Sequence, residues 1–219
     1  MKRRRDMRHV VVFAAGFLTS SLAYGKLSAA YPSGYLEAPG PKALVTFLLP
    51  TAAAVIYLLV RSLVIASWPA GPAAWASTET HDADDVVSDI LFWILLFVMS
   101  IHGLVLAVLL RAEWIYPWAG RAVVVLLGML LITVGNLLPR TRPNAALGIR
   151  TARTLADRRL WMSTHRIGGY VVVVVGIVTA VSGVFVTRAN MPVLPALVGL
   201  GGGLLTMVCY RRFAAIQEF

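Results

Sequence analysis

Residues Ile90 to Leu110 read ILFWILLFVMSIHGLVLAVLL, a run of twenty-one positions that contains no charged residue. Coiled as a helix rising about 1.5 Å per residue, the run is about 32 Å long and matches a hydrocarbon core of about 30 Å. Working outward, further apolar runs cover Val10 to Gly25, Ala43 to Val60, Ala122 to Leu138, Ile167 to Thr187 and Val193 to Tyr210. The composition agrees, with 58% hydrophobic and 14% charged residues, against about 25% charged in a soluble domain. Strands are excluded on length. Val171 to Val175 is β-branched but sits inside a longer apolar run, and a spanning sheet needs a closed barrel of alternating strands. The chain therefore reads as an all-α, polytopic membrane protein of six transmembrane helices.

Charge sets the orientation. Fifteen of the twenty Lys and Arg residues fall before the first span, at the end of the second, between the fourth and fifth, or after the sixth; five fall on the other side. The positive-inside rule makes the first set cytoplasmic, with both termini inside. The net charge of +10 is then a topology signal, and direct nucleic-acid binding is not expected. The basic start, the apolar core Val10 to Leu18 and the small residues Ser21-Leu22-Ala23 also fit a cleavable signal peptide. Cleavage would leave five spans. Two halves are expected: residues 1–86 with spans one and two and an acidic cytoplasmic loop, and residues 87–219 with spans three to six.

The polar segments are short. Ser67 to Asp85 ends in the cluster Glu79, His81, Asp82, Asp84 and Asp85, read as a solvated linker or as a partner for a basic loop on the same side. Lys26 to Lys42 is an irregular external segment with Tyr31 and Tyr35, aromatics of the kind that anchor at an interface. The four histidines, His9, His81, His102 and His165, lie in four different segments, and none has a second His or Cys at metal-ligand spacing. Neither a hydrolase motif nor a phosphate-cradling glycine loop beside a lysine occurs. No cofactor and no enzymatic activity are expected. Asp89 and His102 are the ionisable groups inside spans, where such groups can mark an ion or solute path; a neighbouring helix is enough to satisfy one histidine. Glycines are read as packing sites, with Gly176, Ala180 and Gly183 set against Gly199 and Gly203 of the sixth span.

One polar segment is patterned. Pro139 ends the fourth helix, Pro143-Asn144 suggests a turn, and Gly148 permits another. Thr154 and Asp157 have the spacing of a helix start leading towards His165. At about 100° per residue, Arg158, Arg159 and Arg166 gather on one face, with Ala156, Leu160 and Thr164 on the other. Trp161 and His165, four apart, are neighbours on the helix surface. By physics alone this is an amphipathic helix at the membrane surface, with arginines at headgroups and Trp161 at the boundary.

The order Gly135-Asn136, Pro139, Asn144, Gly148-Ile149-Arg150-Thr151, Trp161, His165-Arg166 and Gly169 resembles the signature of the SdpI family of bacterial immunity membrane proteins. The resemblance implies a multi-pass protein of the bacterial plasma membrane that gives resistance to a secreted antimicrobial peptide toxin. It also implies signal relay, since the family's namesake holds a cytoplasmic transcriptional repressor at the membrane. Arg150, Trp161, His165 and Arg166 are the candidate ligand- or partner-binding residues; Asn136, Pro139, Asn144, Gly148, Thr151 and Gly169 are read as the structural motif. A small-solute or ion transporter and a structural membrane partner are the alternatives.

Overall fold

The computed structural model describes residues 2–30, 39–66, 80–115, 117–141, 148–149, 151–185, 199–204, 207 and 211. Its regular structure is all helical, with no strand among these residues. The helices are α1 (Lys2–Ala30), α2 (Pro39–Ala66), α3 (Thr80–Leu109), α4 (Ala119–Leu137), α5 (Ala152–Ala156) and α6 (Arg158–Phe185), with 3-10 turns at Glu113–Ile115 and Leu138–Arg140. Five stretches are long and apolar enough to cross a membrane: Met7–Leu27, Pro41–Leu63, Asp85–Leu109, Ala119–Arg140 and Arg158–Phe185. They coincide with the first five expected spans. The sixth, Val193 to Tyr210, lies largely outside the described residues, although residues 199–204 within it are helical. The external residues 31–38 and the linker residues 67–79 also lie outside.

The chain divides into two compact units, Met1–Leu59 with Ile94–Val123, and Val60–Trp93 with Val124–Phe219. In both, a number of polar side chains are buried while many large aliphatic ones are exposed, an arrangement suited to lipid. On α6, Tyr170, Val174, Ile177, Val181 and Val184 form an exposed apolar stripe at helical spacing, while Thr179 and Ser182 are buried. The buried hydroxyls bond within their own helix, Thr179 to the Val175 carbonyl at 2.7 Å and Ser182 to the Thr179 carbonyl at 2.8 Å.

In the first unit, His102 on α3 is fully buried and meets Ser20 on α1, with Nε2 2.8 Å from the hydroxyl oxygen. The Ser20 hydroxyl spends its proton on the Gly16 carbonyl at 2.9 Å, so the imidazole Nε2–H donates to Ser20. The neighbouring helix thus satisfies one side of the ring. Nearer the start of α1, the rings of His9 and Phe13 pack against Tyr57 of α2, at centroid distances of 5.1 and 5.4 Å. Pro50 lies within α2 and is buried.

In the second unit, α4 and α6 pack backbone to backbone along a glycine seam. A side chain built on Gly176 would lie 2.8 Å from the Gly128 carbonyl and 2.7 Å from the Ile132 amide, and one on Gly135 would lie 2.8 Å from the Gly169 carbonyl. Gly128 comes against Ala180, and Gly183 against Val125. Rising numbers on α4 meet falling numbers on α6, so the two helices are antiparallel. Gly128 and Gly135, like Gly169, Gly176 and Gly183, recur every seven residues, the period that keeps one stripe facing a partner. Close approach of this kind is a favoured basis for helix association in lipid, where no hydrophobic driving force separates one apolar surface from another. The seam corrects the expected pairing of Gly176, Ala180 and Gly183 with the sixth span. Gly199 and Gly203 have nothing within 4 Å of a built side chain, whereas Gly202 comes against Val171.

Candidate functional site

Among the described residues between Leu138 and Gly169, a series of short-range backbone signals sets the local structure. Pro139 closes α4 in the 3-10 turn Leu138–Arg140. Thr151 then caps α5 in a reciprocal box with Thr154: its hydroxyl accepts the Thr154 N–H at 3.1 Å, while the Thr154 hydroxyl oxygen accepts the Thr151 N–H at 2.9 Å. The Thr154 hydroxyl in turn donates to the Ile149 carbonyl at 2.9 Å. Asp157 opens α6, its carboxylate accepting the Arg159 and Leu160 N–H groups at 2.7 and 3.3 Å. Two helix starts therefore lie within seven residues, and the single start expected from Thr154 and Asp157 is divided between them. A carboxylate beside the first amides of a helix is also favoured by the helix dipole.

Trp161 and His165 occupy the inner face of the first turns of α6, and both are fully buried. Their rings stack with centroids 3.9 Å apart and planes inclined by 17°. Each ties the preceding loop to the helix. The indole N–H of Trp161 donates to the Thr141 carbonyl at 3.0 Å, and the Ile149 N–H donates to His165 Nε2 at 3.0 Å. Because Nε2 accepts, the ring carries its proton on Nδ1, which donates to the Trp161 carbonyl at 2.8 Å. This pattern admits only the neutral imidazole with that tautomer. Gly148 is required twice over: its φ is +106°, and a side chain there would collide with His165 Nε2. Trp161, expected at the lipid boundary, turns its ring into the protein and acts there as a strut. Its burial follows from the stacked partner and from a carbonyl acceptor that water no longer reaches.

The remaining motif residues separate by exposure. Gly169 is buried in the seam, where a side chain would meet Pro139 at 3.0 Å and the Gly135 carbonyl at 2.7 Å. Asn136 is exposed near the end of α4. Arg166 is exposed, as are Arg153, Arg158 and Arg159, so the inner face of α6 carries the loop and the outer face carries cations. Arg150 and Asn144 lie outside the described residues. Thr164, next to His165, was read only as part of the uncharged face; it is 1% exposed and its hydroxyl has no hydrogen-bond partner among the described residues. The β-hydroxyl of a mid-helix threonine commonly bonds the carbonyl four residues back, so sequence alone gives no sign that this one does not.

These features define a multi-pass α-helical membrane protein in which a basic connecting segment is pinned to the start of a spanning helix. Residues 140–209 match the SdpI/YfhL protein family. The chain is also 26% identical to Immunity protein SdpI of Bacillus subtilis (strain 168), over 98% of its own length and 98% of that protein. The SdpI-family resemblance read from the signature is borne out by both matches. No solved structure matches the chain.

Proposed function

We propose that the protein is an immunity factor of the bacterial plasma membrane, protecting its host against a secreted antimicrobial peptide by binding and not by catalysis. The full-length similarity to a relative named as an immunity protein carries this reading. Within it, Trp161 and His165 act as positioning residues. Their polar atoms are committed to Thr141, Ile149 and the helix backbone, so their contribution is to hold the loop, and Arg150 and Arg166 are the residues that bind a ligand or partner. The Thr164 hydroxyl, buried beside them with no partner among the described residues, offers hydrogen-bonding capacity at the same place.

Signal relay is the second part of the proposal. It is favoured by the exposed Arg153, Arg158, Arg159 and Arg166, a basic surface that suits an acidic patch on a cytoplasmic transcriptional repressor. The experiment is survival of a sensitive strain challenged with candidate secreted peptides, with and without the protein. Protection that disappears in Arg150→Lys at unchanged membrane abundance supports a binding loop. Equal killing of both strains by every peptide from the host's own secretions would sink the immunity reading.

A further inference from the structure

The turn between α3 and α4 departs from ordinary backbone chemistry at one residue. α3 ends in a Schellman arrangement, with the Ala112 N–H donating to the Ala107 carbonyl at 3.0 Å and the Arg111 N–H to the Val108 carbonyl at 3.0 Å. The left-handed position of that motif is normally glycine, because a side chain there crowds the following carbonyl. Here it is Arg111, with φ of 56°. The rest of the turn is ordered. The Ile115 amide bonds the Ala112 carbonyl at 3.0 Å, the Trp118 amide bonds the Ile115 carbonyl at 3.0 Å, and the Ile115 side chain is buried. This frame presents Trp114 and Trp118, 72% and 56% exposed, and holds the Arg121 guanidinium 5.4 Å from the centre of the Trp118 ring. Glu113 is the single carboxylate among the described residues of the turn.

We propose that this turn binds the phosphate headgroup of an anionic phospholipid, with Arg111 and Arg121 as the cations and Trp114 and Trp118 seated at the headgroup boundary. Interfacial tryptophans set depth in any bilayer, whatever its charge, so they account for the aromatics alone. A guanidinium matches a phosphate through its planar fork, and a cation resting on an indole face keeps its attraction in a poorly hydrated layer. An unfavourable backbone conformation retained on an exposed turn is itself a mark of use. The inference is independent of the immunity reading.

The test uses the purified full chain in nanodiscs of phosphatidylcholine, with and without phosphatidylglycerol, following thermal unfolding and lipid binding. The parent should gain stability from phosphatidylglycerol. Arg111→Gly should be more stable than the parent in phosphatidylcholine, because the helix end is relieved, yet gain less from phosphatidylglycerol. Each arginine removed, by Arg111→Gly or Arg121→Gln, should weaken anionic-lipid binding about fivefold, the factor equivalent to about 1 kcal/mol per basic residue at an anionic surface. Glu113→Gln should strengthen it. Equal responses to phosphatidylglycerol in the parent, Arg111→Gly and Arg121→Gln would overturn the proposal. So would inorganic phosphate reproducing the stabilisation in phosphatidylcholine, which would mark a free-anion site, or loss of peptide protection in these variants with lipid response intact, which would mark a peptide surface.

Discussion

Replacing Gly148 by alanine should open the loop that precedes α6. A side chain at φ of +106° carries a conformational cost on the order of 1–3 kcal/mol. The added methyl group also falls on His165 Nε2, so the ring must leave the Ile149 amide, a bond worth about 0.5–1.5 kcal/mol net. Displacing the ring loosens its stack on Trp161, worth a further contribution of about 0.5–1.5 kcal/mol. Allowing for partial relaxation, a local destabilisation of about 2–4 kcal/mol follows, equivalent to a rise of roughly 30- to 1,000-fold in the open population. Amide exchange at Ile149 and tryptic cleavage at the loop arginines report that population directly in membranes. Gly103→Ala is the control, since a side chain there meets nothing within 4 Å. Combining Gly148→Ala with His165→Ala should cost less than the two changes added, because the colliding ring is gone. Parent-like exchange and cleavage in Gly148→Ala would refute the reasoning.

The glycine seam makes Gly176→Leu and Gly128→Leu strongly destabilising, by at least about 1–3 kcal/mol as overpacking against rigid backbone, with folded yield in detergent as the measure; Gly199→Ala should be silent. In a protected strain, Arg150→Lys and His165→Ala should each lower protection at normal abundance, whereas Arg158→Lys, exposed on the outer face, should protect like the parent. Reporter fusions after Arg61, Arg142 and Phe219 should read cytoplasmic, and those after Lys42, Trp118 and Asn190 external; an external signal at Arg142 would reverse the topology. Trp161→Phe, which keeps a stacked ring but removes the N–H held by Thr141, should expose the loop by an amount on the order of 1 kcal/mol, read again by exchange.

The first five spans were legible because hydropathy over some twenty residues is a property of composition and needs no partner. Trp161 and His165 were legible as neighbours for a similar reason, being four apart on one helix. What the sequence did not disclose was which surface they face. Hydrophobic periodicity placed Trp161 at the interface without saying that its ring faces inward; the deciding fact is the Thr141 carbonyl twenty residues earlier. The glycine seam shows the same limit: seven-residue spacing marks a packing stripe on α6 without saying that its partner is α4. Arg111 in a glycine position carries no local signal, since any residue can follow an apolar run.

The length of α6 has a consequence for the membrane around it. Its 28 residues span about 42 Å at about 1.5 Å each, some 12 Å beyond a hydrocarbon core of about 30 Å. Eight residues make up that excess, and counted from the amino end they are Arg158 to His165. The stacked pair and its loop thus stand in the headgroup layer when the apolar remainder of the helix fills the core. A thicker bilayer draws those turns inward and a thinner one pushes them into water or tilts the helix, so the hydration of the loop is coupled to the thickness of the lipid that surrounds it.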